Sequence, residues 1–222
     1  MTAALIVPIK APSRAKRRLE GVLSDVERWR LARTMASDVL EVVAGLRDIA
    51  RLAVCDDPEL AALAGRFGIE TVVDETPAGQ SAAVRLGFLA AAKHGWSPVA
   101  TIPADVPAVS AKEIRTLCQD YPEVDVLLAP DRDGIGTNGL RVAAADALAL
   151  HFGEDSLRLH REEATRAGWR VQVISLPRLA CDLDRPEDLA AFLRLKPATA
   201  TLALLEELQV AERLAARDRP RG

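Results

Sequence analysis

The chain of 222 residues is 49% apolar and 27% charged, an ordinary balance for one large domain with a real core. Its net charge of −3 excludes the global basic field of a nucleic-acid-binding protein, and no apolar run approaches the roughly 20 residues that span a bilayer. Three widely spaced cysteines, Cys55, Cys118 and Cys181, fit buried thiols of a cytoplasmic protein better than disulfides or a zinc site.

Apolar runs of strand length alternate with amphipathic stretches of helix length. Residues 3–9 read as a buried strand, and a basic loop follows. The spacing of Val26, Trp29, Met35, Val39, Val42 and Leu46 then predicts a helix over 25–46. Strands at 51–55 and 69–73 flank a helix opened by Pro58. A helix over about 81–93 leads to an apolar run from Val99 that ends at Asp105, with Pro107 just beyond. After it come a helix at about 111–119, a strand at 124–129, a polar loop at 130–139 and a strand at 140–143. Helical stretches are expected on both sides of residues 152–156, then a strand near 169–175. A last helical unit opens at 182–188. The tail, about 197–222, reads as one charged amphipathic helix that covers the sheet or a partner subunit. This alternation predicts an α/β fold, a single domain over 1–222 with a mostly parallel sheet between helices.

In such a sheet ligands bind at the carboxyl ends of the strands. A carboxylate there, Asp105, can hold Mg2+ against substrate phosphates, because Mg2+ takes one or two protein oxygens and leaves the rest to water and phosphate. Alternatively it caps the next turn. The loop 10–18 is cationic at four of its last five residues, just before a predicted helix start. Clustered cations at that end of a helix dipole are unfavourable unless an anion joins them, and polyphosphate fits, with Ser13 as a further donor. The alternative is a solvated basic face. No Gly-x-x-x-x-Gly-Lys pattern accompanies it. Asp184, three residues before Glu187, reads as a capping-box start that can also face a metal. The loop Asp131-Arg-Asp-Gly-Ile-Gly-Thr-Asn-Gly139 can present N–H groups to an anion or form a plain hairpin turn. Asp155 or Ser156 reads as a helix cap, and His160 shares the helix face of Ser156. His94 and His151 are expected to be structural.

Val7-Pro-Ile-Lys-Ala-Pro-Ser-Arg-Ala-Lys-Arg-Arg-Leu19, Ile102-Pro-Ala-Asp-Val-Pro107, the loop 130–139, Phe152-Gly-Glu-Asp-Ser156 and Asp182-Leu-Asp-Arg-Pro-Glu-Asp-Leu189 together resemble the guanylyltransferases of coenzyme F-420 biosynthesis. The second and last motifs also resemble the wider nucleotidyltransferase superfamily. The resemblance implies a Rossmann-like nucleotidyltransferase fold that transfers GMP from GTP to 3-phospho-D-glycerate, phosphoenolpyruvate or 2-phospho-L-lactate with release of pyrophosphate. It implies Mg2+ on Asp105 and Asp184, assisted by Asp182, and GTP phosphates on Lys10, Arg14, Lys16 and Arg18. The acceptor acid would lie at Thr137, Gly153 and Ser156. Gln80 and Ser81 stand where relatives carry Gly-Leu-Asn residues of the base pocket, and so become the expected nucleotide contacts. A homodimer and the downstream enzyme that takes up the product are further expected partners. The alternatives are a molybdopterin guanylyltransferase, a cytidylyltransferase or a non-catalytic GTP-binding protein.

Overall fold

The computed structural model describes residues 2–10, 16–145 and 148–217; Ser13 and Arg14 lie outside them. Its strands, in chain order, are β1 (Ala4–Ile9), β2 (Ala50–Cys55), β3 (Glu70–Val73), β4 (Val99–Thr101), β5 (Val126–Pro130), β6 (Thr137–Val142) and β7 (Val171–Val173). They form one seven-stranded sheet in the order β3-β2-β1-β4-β6-β5-β7. All of β1 is buried, as a strand covered on both faces must be. β1 pairs parallel with β2 and β4, β2 with β3, and β5 with β7. β6 alone is reversed, antiparallel to β4 and β5.

Alternation along the strands splits the core. Leu5, Val7 and Ile9 face one side, where they meet α1 (Asp25–Ala44), α2 (Pro58–Arg66) and α4 (Ala111–Gln119). Ala4 and Ile6 face the other, against α3 (Gln80–Lys93) and α5 (Ser156–Arg166). Side-chain caps set several helix starts. Ser24 and Glu27 close a reciprocal box on α1, Asp57 precedes Pro58 at α2, and Ser110 accepts from Glu113 N–H at α4. Gly87 brings α3 close to β1, since a Cβ there would lie 2.3 Å from Ile6 Cγ2.

Several expectations change. The tail is two helices, α7 (Ala200–Glu207) and α8 (Val210–Arg217), divided at Gln209 with φ 51°. Their apolar face packs within the chain, on helices and loops and not on the sheet. Leu204, Leu205 and Val210 pack with Leu19, Leu23, Leu183 and Leu189 beside α6 (Pro186–Leu195) and α1, and Asp38 of α1 accepts from Ala200 N, Thr201 N and Thr201 Oγ. The tail therefore roots the ends of the two loops that carry Lys16 and Asp184. Among the described residues between β6 and residue 152 there is no helix. Val26, placed on the apolar face of α1, is exposed. β4 ends at Thr101, four residues before Asp105, while β6 begins at Thr137, inside the expected polar loop. No helix among the described residues is long and apolar enough to cross a membrane.

Candidate active site

The chain moves from β1 to β2 on one side and returns to β4 on the other, so the sheet changes direction of growth between β1 and β4. Their pairing stops at Ile6 and Thr101. Beyond that point the strands diverge and open a crevice at a topological switch point, where α/β sheets bind ligands. The carboxyl ends of β1, β4 and β5 and the amino end of the reversed β6 share this edge.

Asp105 and Asp184 meet here although 79 positions separate them. The two loops are stitched directly, Leu183 N donating to Asp105 O at 3.2 Å. Between the carboxylates sits the Lys16 ammonium, 2.7 Å from Asp105 Oδ2 and in contact with Asp184 Oδ1. Burial disfavours the Lys16 charge, yet the two carboxylates outweigh it and hold the amine above the ordinary lysine range. The remaining oxygen of Asp105, Oδ1, is buried without a partner. A pair of carboxylates already holding one cation, with an orphaned acceptor beside it, suits Mg2+, which needs only one or two protein oxygens. The described residues contain no cluster of three ligating side chains for a metal bound by protein alone. Asp182 stands beside the pair on the wall of the same cavity, and its Oδ1 accepts from Asn138 Nδ2 at 3.0 Å. Burial and the nearby Asp105 charge raise its carboxyl to about 6, against the opposing effect of the Asn138 bond.

The cap of α6 differs from the expected one. Pro186 at the first helical position makes Asp188, not Glu187, the residue that reaches back. Asp188 Oδ2 accepts from Asp184 N and Arg185 N, at 3.0 and 2.7 Å. Its Oδ1 accepts from Arg132 at 2.6 Å. Asp184 is thereby released from capping and aimed at Asp105, while Asp188 ties the loop 131–136 to the same corner. The proline was the signal that could have placed Asp188.

Two cavities open from the crevice. The first, about 260 Å3, runs between Pro8, Ala32, Ala36 and Leu60, with Lys10 and Lys16 also in its wall. The second, about 490 Å3, is polar and rich in carboxylates: Arg18, Arg132, Arg185, Thr137, Asn138, Gly153 and Ser156 share its wall with Asp131, Asp133, Glu154, Asp155, Asp182 and Asp188 as well as Asp105 and Asp184. Their common wall is Gln80, Pro103, Asp105 and Asp184. The basic loop straddles that wall: Lys10 serves the first cavity, Lys16 the divide and Arg18 the second. Arg18 is exposed and has no ion-pair partner among the described residues. Ser81 lines neither cavity; its Oγ accepts from Phe152 N at 2.9 Å and fixes the 152–156 loop over α3.

On the second cavity, Thr137 and Ser156 are almost wholly buried. Thr137 Oγ lies 3.1 Å from His160 Nδ1, and His160 Nε2 accepts from His151 N at 2.9 Å. Burial, then the neighbouring His151, hold His160 down to about 4, so it is neutral at pH 7. His160 is fully buried and does not itself face the cavity. Asp155, in the left-handed region at φ 58°, precedes α5 without capping it by side chain.

A mostly parallel sheet with a carboxylate pair and a lysine at its switch point is the framework of a nucleotidyltransferase-type α/β protein. Its backbone is similar to that of a Desulfovibrio desulfuricans G20 protein assigned to the nucleotide-diphospho-sugar transferases, with TM-score 0.79 over 98% of each chain at 18% identity. The chain belongs to the family described as Guanylyl transferase CofC like, whose model matches residues 3–215. It is similar to a phosphoenolpyruvate guanylyltransferase of Conexibacter woesei, 32% identical over 86% of this chain and 87% of the relative. It is equally similar to a 3-phospho-D-glycerate guanylyltransferase of Phenylobacterium zucineum, 32% identical over 93% and 97%.

Proposed function

We propose that the protein transfers GMP from GTP to a small phosphorylated three-carbon acid, releasing pyrophosphate, as a Mg2+-dependent step of coenzyme F-420 biosynthesis in the cytoplasm. The observation that carries this reading is the shared wall: a partly apolar cavity and a polar one adjoin along Gln80, Pro103, Asp105 and Asp184. A nucleoside suits the first. In the second, Arg18, Arg132 and Arg185 with the Thr137 and Ser156 hydroxyls are the donors for a short anion. Mg2+ on Asp105 and Asp184 would offset part of the surrounding negative charge, so that the reacting phosphates come together at the shared wall. Family membership and the names of the relatives support the same donor and acceptor classes.

In this reading Asp105 and Asp184 hold Mg2+, which supplies charge neutralisation at the phosphates when bound. Lys16 neutralises the carboxylate pair in this structure, and with Lys10 and Arg14 it would supply positive charge to the triphosphate. Gln80, on the shared wall, contacts the nucleotide, whereas Ser81 acts through the loop it anchors. Arg18, Thr137, Gly153 and Ser156 seat the acid, and Asp182, oriented by Asn138, would assist the metal pair. A phosphate oxygen of the acid attacks the α-phosphorus of GTP. The bond to the bridging oxygen of the β-phosphate breaks, and pyrophosphate leaves with the electron pair. The nucleophile is already ionised, so alignment and charge stabilisation are what the protein must supply. The activated product is then consumed by an enzyme that transfers the acid onward.

The test is pyrophosphate release with GTP, Mg2+ and each of phosphoenolpyruvate, 3-phospho-D-glycerate and 2-phospho-L-lactate, with CTP as the competing donor. Release with GTP and at least one acid supports the proposal. Release only with CTP, or with no acid at all, overturns it.

A further inference from the structure

His160 is invisible from the cavity, yet its two hydrogen bonds leave only one arrangement of protons. A backbone N–H can only donate, so the bond from His151 N at 2.9 Å makes Nε2 an acceptor without a hydrogen. A neutral imidazole carries one N–H, which must then be on Nδ1. That N–H points at Thr137 Oγ, 3.1 Å away. Thr137 therefore accepts from the histidine, and its own hydrogen is left over. No other partner of the hydroxyl is found among the described residues, and Thr137 is part of the wall of the polar cavity. The ring is held in this orientation by the edge of Phe152, with ring centroids 4.9 Å apart, in the same loop as Gly153.

We infer that His160 is a positioning residue that fixes Thr137 as an obligatory hydrogen-bond donor toward the anionic group of the acceptor acid. With Nδ1 bare instead, the threonine would donate to the ring and turn its lone pairs on the ligand, an arrangement that repels a carboxylate or phosphate. The chain of donors runs from His151 N–H through the imidazole to the threonine hydroxyl, and each link leaves the next no choice. The inference rests on the reading that the second cavity takes the acid, and it assigns a role in acceptor selection to a residue outside the cavity.

Two substitutions separate this role from simple structural support. His160→Asn places an amide near the position of Nδ1, keeping a donor for Thr137 and losing the bond to His151 N. His160→Gln reaches the position of Nε2, keeping the bond to His151 N and losing the donor. Positioning predicts that H160Q raises KM for the acid about tenfold, the weight of one hydrogen bond to a charged group. KM for GTP stays unchanged, and H160N is the milder variant. In a Thr137→Val background the difference between H160N and H160Q disappears. The reverse order, with H160N the more damaging, or equal effects on both substrates, overturns the inference while leaving the guanylyltransferase reading intact. A long-range 1H–15N spectrum of the unliganded protein gives a check that needs no turnover. It is expected to show the Nδ1–H tautomer of His160, and an Nε2–H tautomer overturns the inference whatever the enzyme transfers.

Discussion

Replacing Lys16 by methionine probes the carboxylate pair directly. The side chain of Lys16 is 5% exposed and bonds both Asp105 and Asp184. Two oxygens sharing one nitrogen in hydrogen bonds are roughly 5 Å apart, and at an effective dielectric constant of about 20 their charges repel by about 3 kcal/mol. Breaking a fully buried pair costs about 3–5 kcal/mol, but Asp184 is 44% exposed and solvent screens part of that. K16M is therefore expected to lose about 2–3 kcal/mol in urea unfolding without divalent cation. Mg2+ at about 100 times its Kd restores about 2.7 kcal/mol. The same Mg2+ stabilises the wild type less, because it must first displace the lysine. In the K16M background, Asp184→Asn removes the repulsion and restores stability without metal, while abolishing the Mg2+ response. If K16M unfolds at the wild-type midpoint and Mg2+ moves neither protein, the two carboxylates are not a cation site and the reasoning fails.

Asp188→Ala strips Asp184 N and Arg185 N of their acceptor and Arg132 of its partner, so a stability loss of about 2 kcal/mol and a fall in kcat are expected, read by urea unfolding and steady-state kinetics. A Gly87→Ala side chain meets Ile6 and Val54, at 2.3 and 3.0 Å. Overpacking of this kind costs about 1–3 kcal/mol, and thermal unfolding measures it. Glu27 accepts from Arg213 and from Ser24 N, and these bonds lower its carboxyl to about 2 from 4.5. Its contribution is present in full above pH 4.5 and is lost as pH falls toward 2. The stability gap between wild type and Glu27→Gln should accordingly be constant at pH 5–8 and close on acidification, as followed by urea titrations at each pH.

The β-α alternation was legible because inner strands such as β1, β4 and β5 are buried on both faces and the helices on one, so periodicity carries the message. Thr137-Asn-Gly139 was not legible as strand. These residues are polar, and their burial depends on His160, Asp182 and Leu179, which are distant in sequence. The same long-range pairing hid the reversal of β6. The break in the tail falls at Gln209, which adopts φ 51° without the glycine or proline that announces such a turn. In the basic loop, residue types pointed to an anion, yet nothing local says that Lys16, at φ 60°, turns inward onto two carboxylates while Arg18 faces the other cavity. The carboxylates themselves were readable as strand-to-loop acids, and their meeting follows from a sheet order that the sequence does not state. Asp188 could have been read, since Pro186 fixes the helix register. The role of His160 could not, because its partner Thr137 lies on another element.

The most direct test of the central claim is the 31P spectrum of the products formed from GTP, Mg2+ and a phosphorylated three-carbon acid. Transfer at the shared wall predicts free pyrophosphate together with a new pair of coupled resonances, the GMP phosphorus joined through oxygen to the phosphorus of the acid. It also predicts loss of both signals in Asp105→Asn. GTP left intact with every acid, or pyrophosphate released while the phosphate resonance of the acid stays unchanged, would contradict it.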